Sequence, residues 1–374
     1  MSRRVPYRYD IVGSFLRTPE IKEARAEFEE GKINEEQLEQ AEDANITRLV
    51  SAEKKAGLKA VTDGEYRRSF WHLDFLWGLE GIAKVKAEHF SVAFKGFQPK
   101  AETLKIVGKI DFPNNHPFLK HFRYLKAAAG DADAKQCIPS PSMLHLICCI
   151  RATDYQPIDI YKDEQKLFDD IAAAYQKALL AFYNEGCRYL QLDDTSWGEF
   201  CSKEKREAYA ARGIDVDQVA KKYVEVINKI LEVKPADMTV TMHICRGNFR
   251  STWSSAGGYE PVAEILFGHC NVDGFFLEYD SDRAGGFEPL RFIGKQHVVL
   301  GLVTSKTPEL EDKAAIIERI HEAAKFVPLD QLSISPQCGF ASTEEGNLLT
   351  EEQQWAKLKL VREIADEVWG DSED

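Results

Sequence analysis

The chain has 374 residues, 44% of them apolar, and a net charge of −13. That acidity excludes nucleic acid or an anionic membrane surface as the main partner, because both select basic patches. No apolar run reaches the length of a membrane span, and the N-terminal stretch lacks the apolar core of a secretory signal. A cytoplasmic protein with eight reduced cysteines is the expectation.

Eight short apolar segments have strand character: 9–14, 60–63, 136–139, 188–193, 238–244, 274–278, 298–303 and 331–335. Most intervals between them are amphipathic. The stretch 163–184 sets Leu167, Ile171, Tyr175, Ala178 and Phe182 three and four residues apart, and 216–233 does the same with Val219, Tyr223, Val226, Ile227 and Ile230. Thr307-Pro308-Glu309 reads as a helix start leading into 310–326, and 350–369 predicts a last helix. Residues 21–55 read as a charged helix pair. Residues 81–115 alternate like a β-hairpin and read as an insertion near the barrel mouth.

Strand and helix alternating eight times predict an α/β (β/α)8 TIM barrel, one catalytic domain over 1–374. An open doubly wound sheet is the rival, but no Gly-rich dinucleotide loop follows the first strand. In a barrel, chemistry gathers at the C-terminal strand ends. Here these carry Val12-Gly13-Ser14, Asp63-Gly64-Glu65, Ser140-Pro141-Ser142, Asp193-Asp194, His243-Ile244-Cys245, Glu278-Tyr279-Asp280 and Gln337-Cys338-Gly339.

His243 and Cys245 lie two apart, so both project from one face at the strand tip. Alone, such a pair reads better as a buried cysteine beside a hydrogen-bonded histidine. With Glu278 and Cys338 it becomes an N/S₂/O donor set suited to Zn2+. Glu260, Glu264 and Asp280 compete with Glu278 for the carboxylate position. Ligands so far apart in sequence argue against a zinc ribbon and for a site closed by the fold. A displaceable carboxylate there leaves room for a substrate thiol, which the metal would hold as thiolate.

These residues resemble the C-terminal catalytic barrel of cobalamin-independent methionine synthase. The match runs through Val12-Gly13-Ser14-Phe15, Asp63-Gly64-Glu65-Tyr66, Leu190-Gln191-Leu192-Asp193, His243-Ile244-Cys245 and Pro336-Gln337-Cys338-Gly339. The resemblance implies zinc-dependent methyl transfer to the thiol of homocysteine, giving methionine. It implies that His243, Cys245 and Cys338 bind zinc with Glu278 as fourth ligand. Val12, Gly13 and Ser14 would line the amino-acid pocket, and Glu65 and Asp193 would be the catalytic carboxylates that hold the ammonium.

The family's long enzymes carry a second, N-terminal barrel, and this chain has one. On the methyl-donor side, the family's tryptophan is replaced by Leu146, its folate segment has no counterpart between Phe97 and Asn115, and its histidine-serine-proline turn becomes Val303-Thr304-Ser305-Lys306. A methyltetrahydrofolate-type donor and a methyl-corrinoid protein both stay open. Epoxide–thiol transfer on the same scaffold is the alternative reaction, and a non-catalytic zinc-binding protein ranks last. Arg67, Arg68 and Arg246 read either as partners for a substrate carboxylate or polyglutamate tail or as a solvated loop face. Lys306 reads as a solvated rim residue or an anion-binding or acid group, Asp194 as a helix cap and Trp197 as packing.

Overall fold

A computed structural model describes residues 5–86 and 102–370. Seven parallel strands carry the fold. In chain order the strands are β1 (Ala60–Val61), β2 (Glu80–Lys86), β3 (Glu102–Asp111), β4 (Asp133–Pro139), β5 (Tyr189–Asp194), β6 (Thr239–Ile244), β7 (Gly274–Glu278), β8 (His297–Val303) and β9 (Leu332–Pro336). The main sheet runs β1-β4-β5-β6-β7-β8-β9, every neighbour parallel. These strands are buried nearly throughout, as parallel strands flanked by helices require.

Residues 9–14, expected as the first strand, form no strand and make a single parallel bridge, Tyr9 to Ile334. The reason lies in where their carbonyls go. Lys135 donates to Ile11 O, Gln191 and Cys137 to Val12 O, and Thr62 to Gly13 O. Side chains replace the ladder. The segment nevertheless reaches both edges of the sheet, through Tyr9 on β9 and through Thr62, next to β1.

The helices follow their apolar stripes. Glu164–Asn184 is capped by Asp163 and buries Leu167, Ile171, Tyr175, Ala178 and Phe182. The larger aliphatic and phenyl side chains among these, Leu167, Ile171 and Phe182, each contribute roughly 1.5–3 kcal/mol if fully removed from water. Val216–Leu231 and Glu351–Trp369 match the expectation, the latter with a Thr350/Gln353 capping box. Pro19–Glu29 and Glu35–Lys55 are the charged pair.

One helix start differs. The helix after β8 spans Lys313–Ala323 and is capped by Asp312, not Thr307. Lys357 pulls the preceding turn aside by binding Glu309 O and the Glu311 carboxylate, which itself accepts from Thr304 N. Between β1 and β4, β2 and β3 pair antiparallel, from Glu80↔Asp111 to Lys86↔Glu102. The expected hairpin tip lies outside the described residues.

Candidate metal centre and adjoining pocket

β6 ends in His243-Ile244-Cys245, and its register with β5 sets Asp193 opposite His243. β7 delivers Glu278 one strand away, and the turn after β9 delivers Cys338. One ligand atom from each of His243, Cys245, Glu278 and Cys338 lies within 4.8 Å of all the others, and all four residues are buried. The two sulfurs are 3.7 Å apart. Glu260, by contrast, pairs with Arg291 at the surface, and Asp280 pairs with Arg283. Glu278 is the carboxylate that reaches the sulfurs.

The electrostatics suit a cation. The hydrogen bond shared with Cys245, against burial, helps hold the Cys338 thiol well below its usual range, with His243 acting in the same sense. Cys245 is pushed well above it by the same bond, and burial adds to the shift. Burial lowers the His243 pKa, but the Cys338 sulfur and the Asp193 and Glu278 carboxylates outweigh it and raise it. Both imidazole nitrogens of His243 are buried without a partner that meets hydrogen-bond geometry. Two thiols, an imidazole and a carboxylate at this spacing fit a tetrahedral zinc ion.

Beside the cluster lie two buried carboxylates, Asp193 and Glu65. Glu65 sits in a turn where Gly64 and Glu65 are both left-handed, at φ 64 and 61. Such a backbone is costly for glutamate and is held by Asp63, which accepts from Glu65 N at 2.9 Å. Burial, more than the opposing Arg68, pushes the Glu65 carboxyl up to about 8, and its Oε2 has no partner. Burial raises Asp193 to about 6, against the pull of His243 and a 2.7 Å hydrogen bond from Gln191.

The segment Val12-Gly13-Ser14 is tied to Asp193 through Gln191, whose amide donates to both Val12 O and Asp193 Oδ1. A Cβ on Gly13 would stand 2.7 Å from Cys137 Sγ, and a Cβ on Gly339 would stand 1.9 Å from Ser14 Oγ. Ser14 also accepts from Phe340 N and Ala341 N, which ties this segment to the turn that carries Cys338.

Residues 10–367 match the sequence profile of the catalytic domain of cobalamin-independent synthases. The chain belongs to that family. The Bacillus subtilis protein YxjH is 50% identical to this chain, over 98% of this chain and 96% of its own length. A crystal structure from Listeria monocytogenes, described as a candidate vitamin-B12-independent methionine synthase, is 44% identical with a TM-score of 0.78, covering 98% of this chain and 99% of that one. A B12-independent methionine synthase from Shewanella sp. W3-18-1, solved with selenomethionine, shares the fold at 20% identity and a TM-score of 0.69, covering 97% of each chain.

Burial decides between the readings that the sequence left open for several polar residues. Arg68 and Arg246 are 2% and 0% exposed, so neither stands on a solvated face, and Arg67 is buried against Glu42 and Asp43. Arg68 lies 3.4 Å from Glu65 and donates to Cys137 O. Arg246 is spent on Gly257 O, Tyr259 and Glu278 O. Lys306 is buried too, with its ammonium on Asn248 Oδ1 at 2.7 Å. Asp194 stands one residue before the N-cap Thr195 and accepts from Ser196 N at the helix start, and Trp197 is fully buried packing. Arg283 and Gln337, which both approach Glu278, gave no signal beyond their closeness in sequence to a ligand.

Proposed function

We propose that this chain is a zinc-dependent S-methyltransferase of the methionine synthase type, moving a methyl group to the thiol of homocysteine to give methionine. One observation carries the reading: a buried N/S₂/O donor cluster lies beside two buried carboxylates, with Asp193 the register partner of His243 and Glu65 next to Asp193. Membership of the cobalamin-independent synthase family supports it.

In this reading His243, Cys245, Glu278 and Cys338 hold zinc. When bound, zinc supplies a thiol kept as thiolate at neutral pH. The chain's own residues do the rest. Glu65 and Asp193 hold the homocysteine ammonium, and Arg68 keeps the charge of the carboxylate pair in check. Val12, Gly13 and Ser14 bring backbone close to the amino acid and set its distance from the cluster. Orientation of sulfur against the methyl carbon then supplies much of the rate.

The donor is a methyltetrahydrofolate-type molecule or a methyl-corrinoid protein; Leu146 and Lys306 occupy the positions that would decide between them. The reading includes a single catalytic domain, closure of the sheet into a (β/α)8 barrel by residues 9–14, the 81–115 insertion at the mouth, and a cytoplasmic location. Among the described residues no helix is long and apolar enough to cross a membrane.

The test is direct. Purified protein, zinc-loaded, is incubated with homocysteine and each methyl donor in turn, and methionine is measured. Methionine formed with one donor and lost on chelation is expected. A hydroxyalkyl thioether from an epoxide and a thiol, with no methionine, would overturn the assignment.

A further inference from the structure

Glu278 differs from the other three members of the cluster in what stands behind it. Its carboxylate is fully buried, so no water can solvate it. Behind it lie three donors: Arg283 Nη2 at 3.4 Å from Oε2, Arg246 Nη1 at 4.0 Å from Oε2, and Gln337 Nε2 at 3.4 Å from Oε1. All three are longer than the 2.7–2.9 Å or so of a well-formed charge-assisted hydrogen bond. The carboxylate thus stands between the cluster on one side and two guanidinium groups and an amide on the other, seated fully on neither.

The donors are not equivalent. Arg246 is locked by Gly257 O, Tyr259 and the Glu278 backbone carbonyl. The Gln337 amide is held by Ser305, whose N–H and hydroxyl both meet Gln337 Oε1. Arg283 has capacity left. Its Nη2 reaches Asp280 at 2.9 Å, and its Nε is buried with no partner. The guanidinium lies 4.8 Å over the Trp253 ring, a surface along which it can slide while keeping contact.

The geometry points to Arg283 as a positioning residue that receives the Glu278 carboxylate when an incoming thiol sulfur takes its place in the cluster. This rests on the thiol-activating function proposed above. The charge balances: one anion enters the cluster as another leaves, and the thiol proton goes to solvent. A carboxylate released into this buried space without a counter-ion is heavily penalised, so its seat must already be in place. Arg283, on the short turn Asp282–Ala284 immediately after β7, supplies it.

The experiment uses the full chain loaded with cobalt(II) and titrated with homocysteine, reading the sulfur-to-cobalt charge-transfer band. Chelator competition gives cobalt affinity without thiol. In Arg283→Gln the thiol concentration for half-saturation is expected to rise about tenfold or more, while cobalt affinity without thiol is unchanged or tighter. Arg283→Lys, which keeps the charge but not the fork, should recover part of the shift. If the glutamine variant does not fold, the lysine variant alone decides, with a several-fold rise expected. A wild-type band with unchanged half-saturation in the variants overturns the role of Arg283 alone. A wild-type protein that gives no band with homocysteine overturns the proposed function, and this inference with it.

Discussion

Asp193 on β5 and His243 on β6 are register partners, so their side chains leave the sheet side by side on one face. A carboxylate proposed to hold the amino acid and an imidazole of the candidate metal cluster are therefore neighbours by strand pairing, not by loop placement. That relationship makes the two features one site. It also predicts that they fail separately. Asp193→Asn should raise the KM for homocysteine by about 100-fold, the scale of a buried charge-assisted contact, with metal stoichiometry unchanged. Loss of zinc from this variant would show Asp193 to be part of the metal site instead.

Cys338 belongs to the other half. Cys338→Ser removes one of two thiolates from the donor set but leaves the strands untouched. Zinc affinity by chelator competition should drop by more than about 100-fold, beyond the usual cost of losing a mere supporting contact. Far-UV circular dichroism should stay that of the wild type. Zinc retained at one equivalent would remove Cys338 from the ligands.

Glu65 predicts a pH effect on stability. Its folded-state pKa, pushed up to about 8 by burial, exceeds the ordinary value of 4.5. The native state therefore keeps a proton that the unfolded chain has released. The stabilisation this gives is fully present below pH 4.5 and is lost as pH rises to about 8, at roughly 1.4 kcal/mol per pH unit within that window. Glu65→Gln abolishes the term. The difference in melting temperature between variant and wild type should grow from pH 5 to pH 8 in favour of the variant. Parallel curves would show that Glu65 is ionised in the empty pocket.

Gly13 is required by space as well as by its φ of 150°, since a Cβ there would meet Cys137 Sγ at 2.7 Å. Gly13→Ala should cost about 1–3 kcal/mol in urea unfolding. Adding Cys137→Ala removes the clash but not the backbone strain, so it should recover part of the loss. Full additivity of the two changes would show that the sulfur is not what excludes a side chain.

The strand and helix segments were legible because their signals are local. Period-2 and period-3.6 patterns lie within single elements, which is why β5 to β9 and the helix Glu164–Asn184 appear close to where they were expected. Residues 9–14 read as a strand but are not one, because the donors that take their carbonyls come from Thr62, Lys135, Cys137 and Gln191, far along the chain. The start of the helix after β8 was misplaced for the same reason: Lys357 decides it from 45 or more residues away.

At the site, the sequence by itself determined the chemistry on offer: an imidazole and thiol two apart on a strand, another thiol before a glycine, and carboxylates at strand ends. Tertiary structure decided which carboxylate joins the sulfurs, that Arg68, Arg246 and Lys306 are buried, and that Arg283 waits behind Glu278. The division has a physical cause. Donor identity and strand periodicity are carried by neighbouring residues, whereas burial and counter-charge are set by side chains that only the closed packing of distant strands brings within a few ångströms.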